Sequence, residues 1–168
     1  MILQYFKIKE NEYKKIADKI YINILSKSKD LIKDNIFTKV DFDSSFELIS
    51  IYLIFYLKVI KDKKQLKYKK INEELIKNFI VDLDTTMREA GIGDISIGKH
   101  VKKYVKKFYF RLKTIDSLLD KKKDINFTNY LKSLKNINDG KIYDLSVKLL
   151  NIYKNIKKNK EIIWNLSL

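Results

Sequence analysis

A chain of 168 residues carries one domain with a sizeable core, and the absence of cysteine excludes disulfides, thiolate metal sites and cysteine nucleophiles. The formal charge of +15 invites a polyanion-binding reading. Yet lysine, asparagine, isoleucine and tyrosine abound while proline is absent, the profile of a coding bias, so a solvated lysine surface outweighs dedicated nucleic-acid binding.

The opening stretch MILQYFKIKENEYKK lacks the long apolar core and small-residue cleavage site of a secretory signal, so the chain is expected to stay where it is made. From Glu10 to about Lys27, apolar residues at Tyr13, Ile16, Ala17, Ile20, Tyr21 and Ile24 share one helical face. A brief segment around Leu31–Phe37 follows, and Asp41–Ser45 reads as a turn. Ser44 and Glu47 have the spacing of a capping box, which predicts a helix start there and a helix reaching about Ile60. That helix is apolar around most of its circumference, which marks it as the central core helix. Its run Leu48–Leu57, broken by Ser50 and two tyrosines, falls well short of the ~20 residues a membrane span needs.

Lys61–Lys70 reads as a solvated connector. Leu75, Ile76, Phe79, Ile80, Leu83 and Met87 then form the stripe of a helix from Ile71 to Ala90. Gly91 is placed to end it as the left-handed residue past the C-cap, and Asp84 stands one turn before Arg88 as an intrahelical partner. Asp94 or Ser96 is expected to cap the next helix, Ile97 to Leu119, which gathers Val101, Tyr104, Val105, Phe108, Leu112, Ile115 and Leu119 on one side and Lys99, Lys102, Lys103, Lys106 and Lys113 on the other. A short helix near Phe127–Asn136, a turn at Asn138–Gly140 and a final helix from Ile142 to Lys157 complete an all-α domain of about six or seven helices spanning 1–168. Trp164 lies in an apolar tail that either docks on the body or meets a partner.

Asp82 to Asp116 is compositionally set apart. It holds three of the four glycines (Gly91, Gly93, Gly98), both arginines (Arg88, Arg111) and the only histidine, His100. Glycine supplies φ > 0 or close backbone approach, and arginine supplies a planar fork of donors, so the stretch reads as a shaped, exposed surface. It does not read as an enzyme site. Asp82 and Asp84, two apart on a helix, point in different directions, GIGDISIGKH has neither dinucleotide-loop nor Walker spacing, and one histidine without a nucleophile system implies no catalysis. No metal and no organic cofactor is expected.

The runs Asp82-Leu83-Asp84, Met87 to Asp94, Ile97-Gly98-Lys99 and Phe108-Tyr109 with Arg111 resemble the signature block of the ubiquinol–cytochrome c chaperone family. The likeness is strongest over residues 79–116 and reaches more weakly from about 16 to 136. Ser45 stands where the family pattern has arginine, Tyr52 where it has histidine, and Phe110 where it has glycine. The resemblance implies a helical assembly factor for respiratory complex III that holds newly made cytochrome b without covalent catalysis. Family members work with a small partner protein near the ribosomal exit. It further implies a cytoplasmic place, or one peripheral to the inner membrane, on the matrix side in a eukaryote. The contact surface expected from it comprises Arg88, Glu89, Gly91, Gly93, Asp94, Gly98, Lys99, Lys103 and Arg111. The alternative readings are a basic RNA- or ribosome-binding helical protein without client specificity and, third, an enzyme of unknown type; no specific DNA binding is expected.

Overall fold

The computed structural model describes residues 2–61, 66–120 and 124–159, and the side chains of 12–61, 66–120 and 125–159. Six α-helices follow one another: α1 (Ile2–Ile32), α2 (Phe42–Lys61), α3 (Leu66–Glu89), α4 (Asp94–Asp120), α5 (Asp124–Lys132) and α6 (Ile142–Lys158), with a 3-10 turn at Asp139–Lys141 before α6. The all-α expectation holds. The expected tail contact of Trp164 lies outside the described residues, as do residues 62–65 of the lysine connector.

α2 is the hub because its sequence leaves it no polar side. Every residue from Ile51 to Ile60 is buried, and the helix packs against α1, α3, α4 and α6. Phe46 meets Phe79 of α3 at 6.0 Å, and Phe79 in turn meets Phe108 of α4 at 4.8 Å. At the other end Phe55 contacts Tyr153 of α6 at 5.2 Å and Phe127 of α5 at 6.3 Å. Aromatic rings in these tilted arrangements add to the area they bury. Lys58 sits on this hub as a buried cation, its Nζ 2.6 Å from Asp116 and 2.8 Å from Asp120.

Polar pairs set the directions of the first four helices. Asn78 donates to Asp18 and the Tyr21 hydroxyl donates to Asp82, both at 2.8 Å, so α1 and α3 run the same way. Asp43 with Lys107, Glu47 with Arg111 and Lys58 with Asp116 align α2 with α4. Phe46 beside Phe79, with Asn72 donating to the Leu57 carbonyl, sets α3 against α2. The first four helices therefore alternate up and down.

Several boundaries differ from the sequence reading. α1 starts earlier than expected, and it continues through Ile32 because Ser28 and Leu31 prolong the buried face that includes Ile16, Ile20 and Ile24. α3 starts at Leu66, and Tyr68 and Ile71 join its buried stripe. The start of α2 lies at Phe42 and is capped by Asp41, whose carboxylate accepts from the Ser44 amide at 3.0 Å. That hydrogen bond, ahead of the opposing effect of burial, holds the Asp41 carboxyl below its usual range. Ser44 and Glu47 are thus not a capping box: the Ser44 hydroxyl donates to the Lys39 carbonyl, and Glu47 faces α4. α5 ends at Lys132, and Asn136 turns the chain with φ +63°. An isolated bridge, Phe37 with Ile137, then ties the α1–α2 connection to the α5–α6 connection.

Candidate functional site

The junction of α3 and α4 is built by backbone chemistry at Gly91. With φ +85°, Gly91 donates its amide to the Arg88 carbonyl at 2.9 Å, while the Ile92 amide reaches the Met87 carbonyl at 3.1 Å. These are the paired hydrogen bonds of a Schellman ending, which satisfies carbonyls left open at a helix C-terminus and needs a left-handed residue at this place. The expected cap is therefore present. α4 restarts from Gly93, whose carbonyl accepts the Ile97 amide at 3.0 Å. Neither expected side-chain cap is used in that role: the Ser96 hydroxyl donates back to the Gly93 carbonyl, and Asp94 occupies the first helical turn.

Arg88 closes the corner. Its Nε donates to Asp84 at 2.6 Å and its second fork nitrogen lies 3.4 Å from the same carboxylate, while the remaining nitrogen pairs with Asp94 across the junction. Hydrogen bonds to Asp84 and then Asp94 raise the guanidinium above its ordinary range. Asp94 also stands where the positive end of the α4 dipole favours an anion. All three groups remain accessible to water, Asp94 most of all.

Beside this clamp, Glu89, Gly91, Gly93, Gly98, Lys99 and Lys103 are all exposed, and Ile95 projects wholly into solvent. A Cβ at Gly93 or Gly98 would meet nothing within 4 Å. The left-handed backbone therefore calls for glycine at Gly91, while neither conformation nor packing calls for it at the other two positions. His100 is half-buried, and its Nδ1 lies 3.0 Å from the Ser96 carbonyl. A carbonyl can only accept, so Nδ1 carries the proton.

Arg111 does not share this surface. It donates in a fork to both oxygens of Glu47, each at 3.0 Å, and lies 5.8 Å from the Tyr130 ring centre. Burial, the largest single effect, pulls its pKa down, yet the hydrogen bond to Glu47 together with the charges of Tyr130 and Glu47 leaves it raised. Lys107 adds a second cation at 2.9 Å from Glu47 and reaches Asp43 at 3.0 Å, where the Tyr104 hydroxyl also donates. Burial first, and that hydrogen bond second, push the Tyr104 phenol up to about 12. Arg111 is thus part of the frame joining α2, α4 and α5, and the face reaching toward it ends at the exposed lysines.

The sequence reading gave Glu47 only a capping role and gave Asp43 and Lys107 none in this frame. Their signal was present in the spacing: Asp43 and Glu47 share one face of α2, and Tyr104, Lys107 and Arg111 share one face of α4. The aspartates first weighed as metal ligands are also engaged, Asp82 by Tyr21 and Asp84 by Arg88.

A buried hub, an internal ion-pair frame and an exposed charged corner define a compact all-helical scaffold. Residues 39–156 match the model of the ubiquinol-cytochrome C chaperone family, and the chain belongs to that family. Among solved structures, that of the Cbp3 homolog from Brucella abortus shares the fold, with a TM-score of 0.76 and 22% identity over 94% of this chain and 88% of that one. No curated protein sequence matches the chain.

Proposed function

We propose that the chain is an assembly chaperone for respiratory complex III that holds newly made cytochrome b without covalent chemistry. Membership of the family over residues 39–156 carries this reading. The proposed contact surface is the corner formed by Arg88, Glu89, Gly91, Gly93 and Asp94, continued along α4 by Gly98, Lys99 and Lys103; Arg111 supports it from inside through Glu47. The exposed Arg88 fork and Asp94 carboxylate offer directional, charge-assisted hydrogen bonds, and the fully exposed Ile95 between them and the lysines adds an apolar contact. A small partner protein and the ribosome are the further partners of this reading. Among the described residues no helix is long and apolar enough to cross a membrane, which suits a peripheral place beside a membrane-embedded client.

Arg88→Ala combined with Asp94→Ala tests it. Both groups are exposed, so their pairing adds little to stability, and helicity and melting should stay nearly unchanged. Capture of cytochrome b from membranes and the amount of assembled complex III should both fall. Variants that fold and support normal complex III overturn the assignment of the corner, and a deletion strain with normal complex III overturns the function.

A second reading, an RNA- or ribosome-binding helical protein, is favoured by Lys99, Lys102, Lys106 and Lys113, which have no carboxylate partner among the described residues. Bulk ribosomal RNA released from a pull-down by nuclease, without cytochrome b, would select it.

A further inference from the structure

A trough of about 530 Å³ opens between α1 and α6, on the side of α2 that faces neither α3 nor α4, and is distinct from the corner. Its size is that of a ligand site, which ranges over ~300–1,000 Å³. Two tyrosines of α2 form its floor. Tyr52 is 2% exposed and Tyr56 is 8% exposed, yet neither phenol has a hydrogen-bond partner among the described residues. Neither phenol oxygen is among the sealed, unpartnered polar atoms, so both open onto the trough and can donate to whatever occupies it. Burial raises both phenols, Tyr52 to about 12, with the charges of Asp30 and Asp34 adding to it, so both stay protonated and able to donate.

The walls repeat one pattern on both sides. Lys27 and Leu31 of α1 and Lys148, Ile152 and Ile156 of α6 recur at steps of four, which places each set along one helical face. Lys148 pairs with Asp34, just past the end of α1, so the walls run in opposite directions and that ion pair stands at one end. Asn23, Asn155 and Asn159 fall toward the other end. In a chain of charge +15, the rim is neutral, Lys27 and Lys148 offsetting Asp30 and Asp34.

From Lys148 to Asn159 the wall is roughly 16 Å long at ~1.5 Å per residue, the reach of about five residues of extended chain at ~3.3 Å each. A helix spends its own amides and carbonyls internally and would leave the floor phenols without acceptors, whereas an extended segment brings free carbonyls to them. A strand of ~4.8 by 10 Å section takes about 800 Å³, and its outer face can stay outside an open trough. Donor phenols on the floor, asparagine amides that both donate and accept at one end, and apolar walls are the complement of an uncharged peptide: carbonyls, amides and side chains.

We propose that this trough binds a short extended, uncharged and apolar polypeptide segment, with its carbonyls accepting from Tyr52 and Tyr56. The proposal deepens the chaperone reading, on which it rests for the polypeptide nature of the ligand and not for the location of the site.

Fluorescence anisotropy of a fluorescein-labelled, end-capped octapeptide of alternating leucine and serine, titrated with the intact protein, tests it. Saturable binding is expected. Tyr52→Phe, which removes only the hydroxyl, should weaken it about two- to tenfold, and Ile152→Asp, at a partly exposed wall position, should abolish it while the circular dichroism stays native. Peptide anisotropy reads the trough, whereas complex III abundance in the Arg88→Ala, Asp94→Ala variant reads the corner, so failure of one is distinguishable from failure of the other. No saturable binding overturns the proposal, as does binding indifferent to Tyr52→Phe and Ile152→Asp, or equal binding of peptides in which glutamate or lysine replaces serine. Binding that emerges only when residues 160–168 are deleted assigns the trough to the chain's own C-terminus and also overturns it.

Discussion

Glu47→Ala isolates the energetic role of the ion-pair frame between α2 and α4. The Glu47 side chain is 6% exposed and receives both Arg111 donors, on a side chain 17% exposed, and the Lys107 ammonium, 30% exposed. Removing one partner of a buried ion pair typically costs about 3–5 kcal/mol, because the remaining charge stays desolvated without compensation. Lys107 keeps Asp43 at 3.0 Å and stands nearer to water, so its share is of surface size, about 0–1 kcal/mol. The loss therefore rests on Arg111 and should come to about 3–4 kcal/mol. At ~2–4 °C per kcal/mol for a domain of this size, melting should drop by about 6–16 °C. Urea unfolding gives the same quantity from the shifted midpoint at constant slope. Glu47→Leu combined with Arg111→Leu should recover most of the loss, since an apolar pair removes both desolvation penalties. A loss below about 1 kcal/mol for Glu47→Ala would refute the reasoning: Arg111 would then reach water freely, and the frame would be no more than a surface pair.

The glycines should separate by conformation: Gly91→Ala should cost about 1–2 kcal/mol for a side chain in the left-handed region, whereas Gly98→Ala should stabilise α4 by about 0.5–1 kcal/mol, both read by urea unfolding. Phe55→Ala, at the meeting of α2, α5 and α6, should lose about 3–5 kcal/mol in thermal unfolding. Stability should fall as pH rises beyond the ordinary tyrosine value of 10.0. Burial, with the charge and hydrogen bond of Asp82, holds the Tyr21 phenol far above that value, and for Lys58 the hydrogen bonds to Asp116 and Asp120 outweigh the lowering by burial. A folded-state pKa raised above the unfolded one contributes in full below the unfolded pKa and is lost as pH rises toward the folded one. Urea midpoints between pH 8 and 11 should therefore decline for the parent chain and decline less for Tyr21→Phe.

The elements were legible where one period governed the pattern. α2 announced itself by being apolar all round, α3 and α4 by single stripes, and Gly91 by standing just past the end of one of them. The start of α2 was not, because Ser44 and Glu47 satisfy a capping spacing that tertiary contacts override: a carboxylate able to meet Arg111 and Lys107 is of more use across α2 and α4 than at its own helix end. The length of α1 was obscured by serine and lysine within a face whose period persists through Ile24, Ser28 and Leu31. The corner was legible as a composition and as the Asp84–Arg88 spacing, but the inward turn of Arg111 was not. An isolated sequence lists cations without their partners, and only the packing of α2 on α4 places Glu47 before that guanidinium.

That packing also changes how the charge of +15 is to be read. α4 carries cations on two faces that meet different fates. Lys107 and Arg111 turn inward onto Asp43 and Glu47, while Lys99, Lys102, Lys106 and Lys113 turn outward with no carboxylate partner among the described residues. Coding bias accounts for lysine being abundant, but it does not sort cations so that the inner set is matched and the outer set is left free. The sorting is what a helix does when one face holds the fold and the other faces water. On the reading proposed above, attraction through that outer face is screened over ~8–10 Å at physiological salt, so it would speed encounter more than fix a bound geometry. Directional contact would then come from the Arg88–Asp94 clamp at the head of the lysine face. The proposed surface would thus divide the work, the lysines drawing an anionic partner in and the corner setting its register. Added salt should therefore slow capture by the parent chain and by the Arg88→Ala, Asp94→Ala variant to a similar degree, while the variant alone releases its partner faster.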